Sequence, residues 1–99
     1  MKIIWTPQAR QDRRDIFAYI AEDNGLAADR LDQLLDKAAT RLQALPRIGR
    51  PGIVAGTREL VVHANYRIVY QIHDDALWIL SVVHSARRWP PSIDDDEDD

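Results

Sequence analysis

Residues 58–84 read RELVVHANYRIVYQIHDDALWILSVVH, and the period of their apolar positions decides the fold. From Tyr66 to His73 the side chains alternate. Tyr66, Ile68, Tyr70 and Ile72 take one face, and Arg67, Val69, Gln71 and His73 take the other, a period of two that belongs to an extended strand. Residues 77–84 are nearly continuously apolar and residues 58–62 form a shorter run, so two more strands are expected. His63-Ala64-Asn65 and Asp74-Asp75-Ala76 are turn-sized, so successive runs pair as antiparallel hairpins.

Upstream the period changes. Residues 47–56 carry Gly49, Pro51, Gly52 and Gly56 and read as a mobile loop that bears Arg47 and Arg50. Before Pro46, Ala27, Leu31, Leu34, Leu35, Ala38, Leu42 and Leu45 recur at three- and four-residue steps opposite Asp29, Asp32, Asp36 and Arg41, which predicts an amphipathic helix. Thr6 is suited to cap an earlier helix and Pro7 to open it. Its apolar face is Ala9, Ile16 and Ile20, with Phe17 and Tyr19 beside the stripe, and Asn24-Gly25 breaks it. Helices joined by so short a turn lie antiparallel. Residues 2–5 (KIIW) form a short strand. The expected class is α+β: an N-terminal strand, then an antiparallel helical hairpin packed on one face of an antiparallel β-sheet.

The chain has 99 residues, 45% hydrophobic and 29% charged, enough for one modest core and too few for two domains. A single domain over residues 1–93 and an acidic disordered tail over 94–99 are expected. With no cysteine there is no disulfide framework or thiolate metal site. No apolar run is long enough to span a bilayer, and polar residues follow Trp5 too soon for a signal peptide, so a cytoplasmic protein without a membrane partner is expected. The net charge of -3 conceals an asymmetry: residues 94–99 are DDDEDD, and without them ten acids face thirteen bases, leaving a body of +3. Eleven of those bases are Arg, whose planar fork suits carboxylate or phosphate, so an anionic partner is expected.

No metal motif, phosphate-binding loop, dinucleotide fingerprint or nucleophile elbow is present, and no cofactor or metal is expected. Bases, imidazoles and aromatics instead gather at the strand ends: Arg58, His63, Arg67, His84, Arg87 and Arg88, with Tyr66 and Trp89. Arg67 lies on the strand face opposite Tyr66, Ile68 and Tyr70. It therefore needs water, an anion, or an ion pair with Asp74, Asp75 or a helix acid. Arg next to an aromatic, as in Arg88-Trp89, is common at macromolecular interfaces. The candidate binding set is Arg50, Arg58, Arg67, Arg87, Arg88 and Trp89. Each member also has a purely structural reading: an edge-strand charge for Arg58, a satisfied strand-end imidazole for His84, packing for Trp89.

The chain resembles the RelE/ParE superfamily of bacterial toxins from type II toxin–antitoxin modules, closer to the ParE-like branch. Trp5-Thr6-Pro7-x-Ala9 and Asp15-Ile16-x-x-Tyr19-Ile20-Ala21, with Asn24 and Ala27-Ala28, are similar to the opening of ParE-like members. Gly56-Thr57-Arg58-Glu59-Leu60, Tyr66-Arg67-Ile68-Val69-Tyr70 and the stretch from Val82 through His84, Arg87, Arg88 and Trp89 to Pro90 resemble the strand core and C-terminal signature. The resemblance implies a growth-inhibiting toxin, associated with plasmid stabilisation and neutralised by a cognate antitoxin. RelE-like members cleave mRNA in the ribosomal A site, whereas ParE-like members poison DNA gyrase. If the chain is a nuclease, it is metal-independent and the implied catalytic set is Arg58, Arg67, His84 and Arg87. Arg58 falls where those enzymes place a strand lysine and Arg67 falls on their arginine, with His84 as acid or base and Arg87 as clamp. Their second lysine corresponds to Leu60 and their C-terminal tyrosine region to Pro90-Pro91, neither able to move a proton. Gyrase poisoning is therefore the leading expectation, mRNA cleavage the second, and an inactive toxin fold retained as a binding module the third. The disordered tail at 94–99 has one alternative reading, self-screening of a basic face: if it folds back on the 47–58 segment, it competes with an anionic target.

Overall fold

The computed structural model describes residues 1–91, so the expected tail lies outside the described residues. The chain forms β1 (Lys2–Trp5), α1 (Pro7–Ala21), α2 (Gly25–Ala44), β2 (Arg50–Pro51), β3 (Thr57–His63), β4 (Tyr66–His73) and β5 (Ala76–His84). The five strands make one sheet in the order β1-β5-β4-β3-β2. The expected hairpins β3–β4 and β4–β5 are antiparallel, as is β2–β3. Strand β1 joins the far edge parallel to β5, with Ile3 opposite Leu77 and Trp5 opposite Ile79, which makes the sheet mixed. The helical hairpin between β1 and the rest of the sheet lets the chain cross over and return in that direction.

Local chemistry sets the helix ends. The Thr6 hydroxyl accepts from the Ala9 amide at 3.1 Å and donates to the Ile79 carbonyl at 2.9 Å, so one side chain caps α1 and ties it to β5. Asn24 breaks the chain after α1 by capping α2, its side chain accepting from the Ala27 amide at 3.1 Å. The buried stripe of α2 is Ala28, Leu31, Leu35, Ala38 and Leu42; the expected Leu45 stays outside it, 54% exposed. This stripe and Ala9 pack on Ile68, Tyr70, Leu77, Ile79 and Val82 to form the core on the helix side of the sheet.

The segment read as a mobile loop contains an edge strand and is fastened. The Tyr70 hydroxyl accepts from the Gly49 amide at 2.9 Å and donates to the Pro46 carbonyl at 2.8 Å. A side chain at Gly49 would put its Cβ 2.6 Å from that hydroxyl, so only glycine fits the approach. Pro51, lacking an N–H, is suited to the edge position it holds. No helix among the described residues is long and apolar enough to cross a membrane.

Candidate functional site

The strand register sorts the candidate residues between two faces. Arg58 pairs with Tyr70 and Leu60 with Ile68, so these share the helix side with the core. Glu59 pairs with Val69 and Val61 with Arg67, so they point to the opposite, open side. On β5 the register shifts by one residue, with Val69 opposite Ser81 and Tyr70 opposite Ile79, leaving Leu80 as a bulge. Beyond the bulge His84 pairs with Tyr66 and Val83 with Arg67, so His84 shares the helix-side parity of Tyr66.

An open groove of about 530 Å³ runs over the far side, lined by Arg50, Glu59, Val61, Arg67, Arg87 and Arg88 together with Ile53 and Ser85. Arg67 forms its floor. Its Nε donates to Glu59 Oε1 at 2.8 Å, Nη1 to the His84 carbonyl at 3.1 Å and Nη2 to the Arg87 carbonyl at 2.9 Å. Three of its five N–H donors are thus engaged within the molecule, and the paired side chains are 10% and 6% exposed. The ion-pair partner is Glu59, not Asp74, Asp75 or a helix acid. Glu59 lies diagonally across the β3–β4 ladder from Arg67, a distance long side chains can bridge. At the mouth, Arg50 is 69% exposed and reaches Glu59 only at 3.6 Å. Arg87 and Arg88 are exposed, and among the described residues neither side chain has a hydrogen bond or ion pair.

Of the candidate residues, the groove gathers Arg50, Arg67, Arg87 and Arg88. Arg58 is elsewhere: its Nη1 donates to the carbonyls of Gly49 at 2.8 Å and Arg47 at 3.3 Å, so it clasps the segment before β2. His84 Nδ1 accepts from the Ala86 amide at 3.0 Å, and its ring meets Tyr66 edge-on at 5.2 Å. Burial raises the Tyr66 phenol above the ordinary tyrosine pKa. The Nδ1 lone pair of His84 is thus engaged by the backbone. Trp89 is half-buried and outside the groove lining. Side chains drawn from residues 50–88 therefore build a cationic groove with one internal carboxylate, and the described imidazoles do not line it. Among the described residues no His, Asp or Glu cluster could hold a metal ion.

Sequence reading missed three features of this region. Glu59 carries no local signal beyond its place in Gly56-Thr57-Arg58-Glu59-Leu60, although the short β3–β4 turn fixes the register that carries it to Arg67. Ile53 and Val61, 79% and 59% exposed, give the groove apolar walls. Asp12, on α1, accepts from the Ser81 hydroxyl at 2.6 Å and the Val82 amide at 3.0 Å, next to the bulge. On the helix side a second open groove of about 520 Å³ is lined by Trp5, Arg10, Arg13, Arg14, Phe17 and Asp32. There Arg13 pairs with Asp32 at 2.6 Å and Asp36 at 2.8 Å while its guanidinium stacks 4.9 Å from the Trp5 ring centroid. The Asp32 hydrogen bond foremost holds Arg13 above the ordinary arginine pKa.

Comparison with known proteins places this geometry. The family model described as "ParE toxin of type II toxin-antitoxin system, parDE" matches residues 3–89. The chain is 39% identical over 90 residues to "Putative toxin Y4kP" of Sinorhizobium fredii, an alignment covering 90% of this chain and 93% of that protein. Among solved structures, the "Chromosomal ParDE TA system from P. aeruginosa" superimposes with a TM-score of 0.76 at 24% identity, covering 85% of this chain and 95% of that one. The "YoeB/ParE toxin from Agrobacterium tumefaciens" gives 0.62 at 17% identity, covering 85% and 98%. Both are thus similar to this chain in fold.

Proposed function

This chain belongs to the ParE toxin family of type II toxin–antitoxin systems, with a cognate antitoxin as its partner, and from that premise we propose that it arrests growth by binding DNA gyrase and does not cut RNA. The observation that carries the proposal is the division of the candidate catalytic residues between the two faces of the sheet. Metal-free RNA cleavage needs a base for the 2′-hydroxyl, an acid for the leaving 5′-oxygen and cations for the developing phosphorane, all within reach of one phosphate. Arg67 and Arg87 line the groove, while Arg58 and His84 belong to the opposite parity. Glu59 places a carboxylate where a phosphate would have to approach Arg67. A cationic, partly apolar groove without a proton-transfer pair is suited to gripping a protein.

In this reading Arg50, Arg87 and Arg88 are contact residues for the target or the antitoxin, and the +3 body favours an acidic antitoxin segment. The test pairs two assays on purified protein. Gyrase supercoiling should be inhibited, with accumulation of cleaved DNA–gyrase complexes, and His84→Ala should inhibit as the parent does. Primer extension on translated mRNA should show no new cuts. Cuts that vanish in His84→Ala overturn the proposal in favour of the ribonuclease, and growth unaffected by expression without antitoxin favours the inactive binding module.

A further inference from the structure

We propose that the groove between β2, β3 and the 85–88 turn is a docking surface for the chain's own acidic segment, residues 94–99, which seats intramolecularly and covers Arg50, Arg87 and Arg88. Three observations carry this. The first is charge: the lining holds four arginines against the single carboxylate of Glu59, and the segment DDDEDD offers six acids with no base. Because Glu59 is committed to Arg67 at 2.8 Å and reaches Arg50 only at 3.6 Å, the excess positive charge sits at the mouth, on Arg87 and Arg88 and on the largely exposed Arg50. The second is continuity. Arg87 and Arg88 precede Pro91 by only a few residues, and residues 92–99 extend roughly 26 Å at full stretch. That reach exceeds the 23 Å short dimension of the molecule, so a segment that follows the groove residues Arg87 and Arg88 this closely is long enough to lie along the groove.

The third is the mixed character of the walls. Ile53 and Val61 are 79% and 59% exposed beside the arginines, and in the sequence the acidic run directly follows an apolar residue, Ile93. The helix-side groove is less cationic: of its three arginines Arg13 is paired with Asp32 and Asp36, which leaves Arg10 and Arg14 against the three rim arginines of the β2–β3 groove. Tethering raises the local concentration of the segment at the groove, so weak rim pairs suffice to keep it there. A seated segment holds the contact arginines from any external acidic peptide until that peptide displaces it. The inference concerns this chain alone and stands whichever target the toxin has.

The chain holds no cysteine, so Asp99→Cys creates a single site for a nitroxide label. In isotope-labelled protein, the amides of Arg50, Val61 and Arg87 should lose intensity while those of Arg10 and Arg14 on the helix side keep it. The loss should disappear at about 1 M salt, where the Debye length is about 3 Å. It should also disappear when residues 94–98 are changed to Asn and Gln in the same labelled protein. Broadening that persists in the neutralised variant, that falls on the helix-side groove, or that is absent altogether overturns the proposal. So does broadening of equal size in a mixture of isotope-labelled, label-free protein with spin-labelled, isotope-free protein, which would place the segment on a second copy.

Discussion

Glu59 is the residue whose loss the groove should feel most. Its carboxylate is 6% exposed and sits 2.8 Å from Arg67 Nε, and Arg67 is itself only 10% exposed. Removing one partner of a buried ion pair leaves an uncompensated charge and costs about 3–5 kcal/mol. The groove opens to water on one side and Arg67 keeps its bonds to the His84 and Arg87 carbonyls, so the lower bound, about 3 kcal/mol, is expected for Glu59→Ala. Glu59→Gln keeps an acceptor at the same place and should cost about half of that, near the value of a single hydrogen bond to a charged group, about 1.5 kcal/mol. In a domain of this size each kcal/mol shifts the melting temperature by about 4–8 °C, so Glu59→Ala should melt about 12–24 °C lower. Urea denaturation followed by circular dichroism and tryptophan emission would give both values, and the Glu59→Ala/Arg67→Ala double variant should lose clearly less than the sum of the singles. If both Glu59 variants stay within about 0.5 kcal/mol of the parent, the range of an ordinary surface change, Arg67 is not held by Glu59 and its guanidinium is available to an external anion.

Three further outcomes follow from the packing. Gly49→Ala drives a Cβ to 2.6 Å from the Tyr70 hydroxyl and 2.8 Å from the Glu59 carbonyl; it should destabilise by about 1–3 kcal/mol, measured by urea denaturation, and detach the segment before β2. Asp12→Ala leaves the Ser81 hydroxyl and Val82 amide without their acceptor and should cost about 1–3 kcal/mol in the same assay. Burial raises the Tyr70 phenol above its ordinary value of 10.0, with the Gly49 amide and Arg58 pulling the other way. A raised acid stabilises the fold in full below the unfolded pKa and loses that contribution as pH climbs through the folded one. Stability should therefore fall above pH 10.0, and less steeply in Tyr70→Phe, where only the Tyr66 contribution remains. An unchanged slope in that variant would show that Tyr70 does not titrate with unfolding.

Most of the scaffold is legible wherever the period of the sequence has a single reading. The alternation at 66–73 gives β4 to the residue, and the α2 stripe gives a helix whose stop is written as Pro46. The segment at 47–56 is harder: its glycines look like freedom, yet Gly49 is there because a tyrosine hydroxyl from a strand 21 residues away needs the space. No local window contains that information. The parallel pairing of β1 with β5 is likewise invisible in a four-residue strand, whose partner is chosen by where the helical hairpin delivers the rest of the chain. At the site, Arg50, Arg67, Arg87 and Arg88 of the candidate set line one groove and Arg58 and Trp89 do not, whereas Glu59 emerges only once the β3–β4 register is drawn.

His84 shows why the site was less legible than the fold. A continuous apolar run such as 77–83 carries no parity signal, so the sequence does not say which way its last residue points. In the structure Leu77 and Ile79 face the core, but after the bulge at Leu80 it is Val82 that faces the core, and the parity of everything beyond has switched. Without the bulge His84 would fall on the Arg67 side and stand in the cationic groove; with it, His84 faces Tyr66. The bulge is fastened from the helix layer, by the Thr6 hydroxyl on the Ile79 and Leu80 carbonyls and by Asp12 on Ser81 and Val82. The residues that start and orient α1 thus also decide which groups meet in the groove on the far side of the sheet. Separating imidazole from guanidinium in this way is a property of strand register, not of residue content. A relative with the same arginines and histidine but no extra residue in β5 would present both on one face, and its chemistry would have to be argued afresh.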